Sequence, residues 1–275
     1  YQCDWSSDVC SSDLNIYWLQ FISIMAIKKK MLWVTNLPAH YRMPIFNLLS
    51  NHFDLHVVFL LAEKNRRGWS IKNEIKSWSY EFLNFKSMFY KEFELIINFK
   101  IKIKNLNQYD VVVLASWENF QYLRLLRKMK NLRKIIVGIY ESHENSQKFR
   151  YGPIAHIRSN FYKKCDIALS FGVRPTNALR KMGVEDQKIL ELYNLVDNDL
   201  FAKNVEHPQI SSKNGHIFIF VGRLISLKNS EVILKAFSEI ALENDLLKIV
   251  GTGKLKEKLV KLAYSLGVAN KVEFL

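Results

Sequence analysis

Six strand-length runs of mostly apolar residues, interleaved with helix-like segments, constrain the fold of this chain more than any other feature. They are MLWVTN (31–36), LHVVFLL (55–61), YDVVVLA (109–115), KIIVGIY (134–140), DIALSF (166–171) and KILELY (188–193). Several are nearly continuous in Val, Ile and Leu, the pattern of strands buried on both faces of a parallel sheet. PIFNLLSNHF follows the first run, ENFQYLRLLRKMKNL follows the third and IAHIRSNFYKKC precedes the fifth, all with helical spacing. The succession predicts βαβ units over residues 31–195, one doubly wound α/β domain.

Residues 197–215 are polar and carry Pro208, Ser211, Ser212 and Gly215, so residues 196–215 read as a linker. A second α/β unit is expected over 216–275. HIFIFV (216–221) is its first strand, 222–229 a loop, and SEVILKAFSEIAL (230–242) a helix whose Ile233, Phe237 and Ile240 share one face. LLKIV (246–250) is a strand, GTGK a turn, KLKEKLVKLAYSL (254–266) a helix closed by Gly267, and residues 271–275 begin another strand. Three strands with an unpaired edge make a small sheet on which to end a domain, so this unit reads as incomplete and the chain as truncated.

Residues 1–30 are set apart from the folding argument. Residues 4–14, DWSSDVCSSDL, match codon for codon the conceptual translation of a common sequencing-library adapter and read as a processing scar. The apolar run LNIYWLQFISIMAI (14–27) is shorter than the roughly 18–20 residues that span a bilayer, and its basic cluster Lys28, Lys29 and Lys30 follows it rather than preceding it. An interfacial anchor and translated upstream sequence both fit, with Met25 or Met31 as the true start.

Composition narrows the function classes. Of 275 residues, 24% are charged and 49% hydrophobic, which excludes a disordered chain and a multi-span membrane protein. Three Cys exclude a disulfide scaffold and an all-cysteine zinc site; without residues 1–14 only Cys165 remains, most simply a small buried hydrophobe. The net charge of +14, or +17 once the three Asp of residues 1–14 are set aside, points to anionic partners: phosphates, an acidic polymer or a membrane surface. The basic runs RKMKNLRK (127–134) and FKIKIKNL (99–106) fit a nucleic-acid patch, a face toward anionic lipid, or plain solvated surface. With no helix-turn-helix, zinc finger or RNP-type motif, no nucleic acid is expected.

The chemistry concentrates after HIFIFV. In VGRLISLKNSEVILKAF, Arg223 lies just past the C-terminal end of a strand and Lys228 just before the next helix, where open α/β sheets bind ligands. A helix N-terminus is already partly positive, so two cations placed there imply a counter-anion, and a diphosphate suits them: Arg binds it bidentately, Lys as a point charge, and helix N–H groups add donors. Read without further context, both also fit solvated loop residues.

FVGRLISLKNSEVILKAF followed by LKIVGTGKLKEKLVKLAYSLGVANKVEFL resembles the C-terminal domain of the glycosyltransferase family 4 enzymes: V-G-R-L, a Lys five residues after the Arg, a helix, a V-G-x-G turn and a Val-x-Phe strand. WVTNLPAHYRMPIFNLL resembles the opening strand and loop of a branch of that family, and MGVEDQKILELYNLVDNDLF its approach to the linker, so the likeness spans residues 31–275. The resemblance implies a GT-B fold, two Rossmann-like domains facing across a cleft. It implies retaining transfer of a sugar from a nucleotide-sugar donor to a glycan or lipid-linked acceptor, without a metal or other cofactor. Gly222, Arg223 and Lys228 match the residues holding the donor diphosphate, and Gly251 and Gly253 the turn that lets backbone approach the nucleotide. His40, Tyr41 and Arg42 match an acceptor-side loop. Two departures stand out: the family's Glu-x7-Glu element is absent, and LPAHYR replaces the Gly-rich first loop of many members.

Other candidates lie at strand ends. Glu141, His143 and Glu144 in YESHENSQ follow KIIVGIY; Glu141 and His143 are candidate catalytic groups, His143 by orienting an acceptor hydroxyl or the donor sugar, although a solvated polar loop fits as well. HEN is not H-E-x-x-H, and no metal site is expected. Trp117 and Glu118, after YDVVVLA, could stack on and hydrogen-bond a sugar, or Trp117 could simply pack. The expectation is a bacterial glycosyltransferase of cell-envelope polysaccharide synthesis, cytoplasmic and peripheral to the inner membrane face. A sugar-nucleotide epimerase of the same fold and a non-enzymatic basic nucleic-acid-binding protein are the alternatives.

Overall fold

The structure, a computed structural model, describes residues 28–61, 71, 77–90, 93–97, 103–147, 149–202 and 215–275. The readings placed on residues 1–27, on 99–102 of one basic run and on 203–214 of the linker lie outside the described residues. The chain divides into two compact units between residues 203 and 204. No described helix is long and apolar enough to cross a membrane.

The strands of the first unit are β1 (Lys30–Thr35), β2 (Asp54–Phe59), β3 (Ser79–Phe82), β4 (Lys86–Tyr90), β5 (Phe93–Ile97), β6 (Val111–Leu114), β7 (Ile135–Tyr140), β8 (Ile167–Phe171) and β9 (Ile189–Leu192). Seven of them form one parallel sheet in the order β3-β2-β1-β6-β7-β8-β9, with pairs such as Val34↔Leu114 and Val137↔Ile167; β4 and β5 form a separate antiparallel hairpin. The expected runs became sheet strands because both of their faces are covered. Leu32, Val34, Val58, Val112 and Leu114 enter one core layer, and Met31, Trp33, Val57, Val111 and Val113 the other. Each such side chain contributes about 1.5–3 kcal/mol on burial.

The helices of this unit are α1 (Met43–His52), α2 (Phe120–Asn131), α3 (Pro153–Lys164), α4 (Val173–Lys181) and the short α5 (Asn198–Ala202). α1, α2 and α3 coincide with the expected helical segments. Asn119 caps α2 by accepting from the Gln121 and Tyr122 amides, and the basic run 127–134 places Lys128 and Lys130 in its last turn, where cations suit the helix dipole. Cys165 is buried, and Gly138 makes room for it: a Cβ at Gly138 would lie 2.7 Å from its Sγ.

Four features depart from the sequence reading: β3, the β4–β5 hairpin, α4 and α5. β3 and the hairpin lie among polar, alternating residues with no long apolar run. α4 is missed because its buried face is small and partly polar: Pro175, Thr176, Ala178 and Leu179, with the Thr176 hydroxyl 2.6 Å from that of Ser170. α5 occupies part of the stretch read as linker.

The second unit is a three-stranded parallel sheet of β10 (Ile217–Val221), β11 (Leu246–Val250) and β12 (Val272–Phe274), in that order, with α6 (Ser230–Ile240) and α7 (Lys256–Ser265). Leu224, Leu234, Phe237, Leu247, Ile249, Leu259, Ala263 and Val268 form its core. The expected apolar face of α6 holds for Phe237, which is buried, and Ile233, which packs against the core, but not for Ile240. Ser230, Leu234 and Phe237 are its buried residues, whereas Ile240, in the last turn before the chain leaves the helix, is 60% exposed.

Candidate functional site

The first unit carries a crevice at the topological switch of its sheet. The chain runs outward from β1 to β2 and β3 on one side and resumes at β6 on the other, so the loops after β1 and β6 diverge and leave a hollow at the strands' carboxyl ends. The crevice, about 270 Å³, is lined from β1 and its loop by Thr35, Asn36, Tyr41 and Arg42, after β6 by Ser116, Trp117 and Glu118, and from the end of β7 by Tyr140 and Glu141.

A 3-10 turn, His40–Arg42, joins β1 to α1 and brings Arg42 over the crevice. Its guanidinium donates to Glu141 Oε1 at 2.8 Å and lies 3.4 Å from Thr35 Oγ1, a pairing across the ends of β1 and β7 that occupies the Glu141 carboxylate. Asn36 accepts from the buried Tyr122 hydroxyl at 2.8 Å, and burial pushes that phenol far above its ordinary pKa. Tyr122 is therefore a fixed neutral donor.

The opposite wall is organised by Arg158, on the buried side of α3. It donates to Gln147 Oε1 at 2.7 Å and to the Phe149 carbonyl at 3.0 Å, and its guanidinium carbon sits 5.5 Å from the centre of the Trp117 ring. Gln147 in turn donates to the Tyr140 hydroxyl at 2.5 Å. Glu118 is solvent-exposed at the rim of the crevice, yet partial desolvation there raises its carboxyl above the ordinary range, with Arg158 pulling partway back. Desolvation also raises the Tyr140 phenol, opposed by the Gln147 bond.

The fold thus gathers Tyr41, Arg42, Trp117, Glu118 and Glu141 into one crevice. His40 and His143 are not among its lining residues. His143 lines a separate, basic hollow with Glu144, Asn145, Arg174, Asn177, Arg180 and Lys181, where Lys181 pairs with Glu144. Thr35, Asn36, Tyr122, Tyr140 and Arg158 were not singled out from sequence. Arg158 alone left a signal, an Arg on the same helical face as Phe161 and Tyr162 in IAHIRSNFYKKC.

In the second unit the β10 loop and the GTGK turn are joined backbone to backbone. Gly222 N donates to Val250 O at 3.0 Å, Leu224 N to Thr252 O at 2.9 Å and Leu255 N to Leu224 O at 3.0 Å. Gly251, at φ 145°, has no room for a side chain: a Cβ would come within 2.0 Å of the Gly222 carbonyl oxygen, and one at Gly253 within 2.2 Å of that of Leu224. What these glycines approach in the structure is the V-G-R-L backbone, which fixes Arg223 between two anchored residues. Lys228 closes a 3-10 turn, Ser226–Lys228, and Asn229 at φ 49° leads into α6. Arg223 and Lys228 are exposed, and neither side chain has an ion-pair partner among the described residues.

Residues 203–275 match the family described as glycosyl transferases group 1. No curated protein matches the chain. Among solved structures, Anabaena HepE in complex with UDP and glucose is similar at 13% identity and a TM-score of 0.64, over 90% of this chain and 69% of that one. The lipopolysaccharide outer core galactosyltransferase WaaB in its apo form is similar at 17% identity and 0.54, over 89% and 67%. The UDP-GlcNAc 2-epimerase of Methanocaldococcus jannaschii is similar at 11% identity and 0.52, over 90% and 73%. What the two units share with these proteins is the GT-B fold.

Proposed function

We propose that this chain, a glycosyltransferase by its C-terminal domain, moves a sugar from a nucleoside-diphosphate donor to a glycan or lipid-linked acceptor with retention at the anomeric carbon. The observation that carries the reading is the pair of exposed cations Arg223 and Lys228, without an ion-pair partner among the described residues and held by an anchored loop between the end of β10 and the start of α6. As the glycosidic bond to the donor breaks, negative charge grows on the departing diphosphate. A guanidinium, an ammonium and the first amides of a helix stabilise that charge without reorganising, and in this reading they do so without a metal. Gly222, Gly251 and Gly253 serve it by holding the Arg223 backbone in place.

The crevice of the first unit is the acceptor side. Trp117 offers a ring face, Arg42 a guanidinium, and Glu118 a carboxyl whose raised pKa suits exchange of a proton with a hydroxyl. The family resemblance supports retention; the same reading places the protein in bacterial cell-envelope polysaccharide synthesis on the cytoplasmic membrane face, and the net charge of +14 suits an anionic surface. HepE, crystallised with UDP and glucose, supports UDP as the first nucleotide to test.

Calorimetric titration with UDP and GDP tests the reading. One of them should bind saturably, and Arg223→Ala or Lys228→Ala should weaken it by about 10- to 100-fold, the loss of one charged hydrogen-bonding partner. Affinity untouched by both substitutions would remove the diphosphate assignment. The shared fold also admits epimerisation of the sugar nucleotide, told apart by product: an epimerase converts the donor with no acceptor present, and a transferase requires one.

A further inference from the structure

The outer surface of the helices beside the crevice combines positive charge with exposed apolar side chains. α2 and α3 lie side by side on one face of the sheet, and both send side chains, Tyr122 and Leu125 from one and Phe161 and Tyr162 from the other, into the same core layer. Residues 119–134 contain six Lys and Arg, residues 149–165 contain four, and neither stretch contains an Asp or a Glu. Of these cations only Arg158 is buried, and Lys130 pairs with Asp166. The outer side of the two helices is thus a positive face with almost no charge of the opposite sign.

The apolar residues gather at one end of it. Phe120, in the first turn of α2, is 59% exposed, and Tyr151, just before α3, is 89% exposed. Phe120 shares the outer side of α2 with Arg124 and Arg127 at helical spacing. Ile154 and Ile157, also exposed, lie across α3 from Lys163, which reaches Gly183 beyond α4, so they occupy the flank toward α2. Both helices begin at the carboxyl ends of the strands, so this apolar end adjoins the crevice. Phe120 follows the rim residue Glu118 by two positions, and Arg158, next to Ile157, sits over the Trp117 ring.

A polybasic face with protruding apolar side chains suits the interface of an anionic bilayer, where cations meet headgroups and apolar side chains enter the acyl region. A nucleic acid would use the cations and could stack on the rings, but it offers nothing to the two isoleucines. We propose that the outer face of α2 and α3 docks on an anionic lipid surface, with Phe120, Tyr151, Ile154 and Ile157 inserted and Arg124 and Arg127 against headgroup phosphates. This assignment rests on the membrane placement proposed above and names the surface that achieves it. Docked in this way, the crevice opens at the lipid interface, where a lipid-linked acceptor presents its head.

Co-sedimentation of the full chain with vesicles of phosphatidylcholine, alone or with roughly one-third phosphatidylglycerol, tests the proposal. The anionic vesicles should bind at least about tenfold more tightly, and Arg124→Gln with Arg127→Gln should weaken that binding by about 10- to 30-fold, about fivefold per cation. Ile154→Ser with Ile157→Ser should weaken it by about 10- to 100-fold. Lys256→Gln with Lys261→Gln removes the same charge from exposed positions in the second unit and should change affinity by less than about twofold. Every substituted side chain is exposed, so all variants should keep the wild-type melting temperature. Absent binding to anionic vesicles would overturn the proposal and the membrane placement with it. Equal losses from the two glutamine pairs, or indifference to the isoleucine pair, would overturn the surface assignment and leave the placement standing. Single-stranded poly(dT) bound more tightly than vesicles, and equally well by the isoleucine pair, would assign the face to nucleic acid and overturn the proposal. UDP titration of the same samples reports on glycosyl transfer separately, since Arg223 and Lys228 are unchanged in all of them.

Discussion

Glu118 shows how a single side chain reports the character of the crevice. The folded environment raises its carboxyl pKa through desolvation, offset in part by Arg158. The fold therefore favours the protonated acid; the associated stability is present at low pH and is lost as pH rises through the folded value. Glu118→Gln should accordingly raise the melting temperature at pH 7 only slightly, because solvent screens an exposed carboxyl, and the gain should vanish below about pH 4. Melting curves from pH 3.5 to 8 check the sign, and a gain constant across that range would contradict the desolvated carboxyl. Arg158 belongs to the same scale: one buried guanidinium links Gln147, the Phe149 carbonyl and the Trp117 ring.

At the scale of elements, connections matter as much as strands and helices. Asp245, between α6 and β11, accepts from the His216 backbone amide at 2.7 Å and the Leu242 amide at 2.9 Å, tying the entry of β10 to the exit of α6. Those two amides hold its carboxyl below the ordinary range. The stability it supplies is present above the unfolded-chain value near 3.9 and is lost as pH falls through the lower folded value. Asp245→Asn should melt several degrees below wild type at pH 7, and the two curves should converge below about pH 3. A difference independent of pH would mean that the charge does not matter. The joined loops of V-G-R-L and V-G-T-G are a second such connection, since both glycines lie against backbone where a side chain would collide.

For the whole molecule, the separation of cores sets the pattern of stability. The core of the second unit is built from residues between Leu224 and Val268 and shares none with the two layers of the first. Removing a fully buried leucine there, Leu234→Ala, should cost about 2–5 kcal/mol. Hydrogen exchange should then accelerate in β10, β11, β12, α6 and α7, while β1, β6, β7 and β8 keep wild-type protection. Equal acceleration in both units would show that they unfold as one cooperative body.

The sequence by itself determined the parallel sheet, because β1, β2, β6, β7 and β8 are apolar enough to be buried on both faces and no other arrangement covers them. It also determined the Arg223–Lys228 loop, since both cations and the glycines that anchor them fall within one local motif. Only the tertiary structure decided the crevice. Arg42 and Glu141 are 99 residues apart and Tyr122 and Asn36 are 86 apart, and no local periodicity encodes such pairings. The same holds for α4, whose few buried residues form a helix face only once β8 lies beneath them, and for His143, which sequence sets two residues from Glu141 and the fold directs to a different hollow. Hydrophobic patterning is read within a few residues of chain, whereas a site at a switch point is made where loops distant in sequence converge.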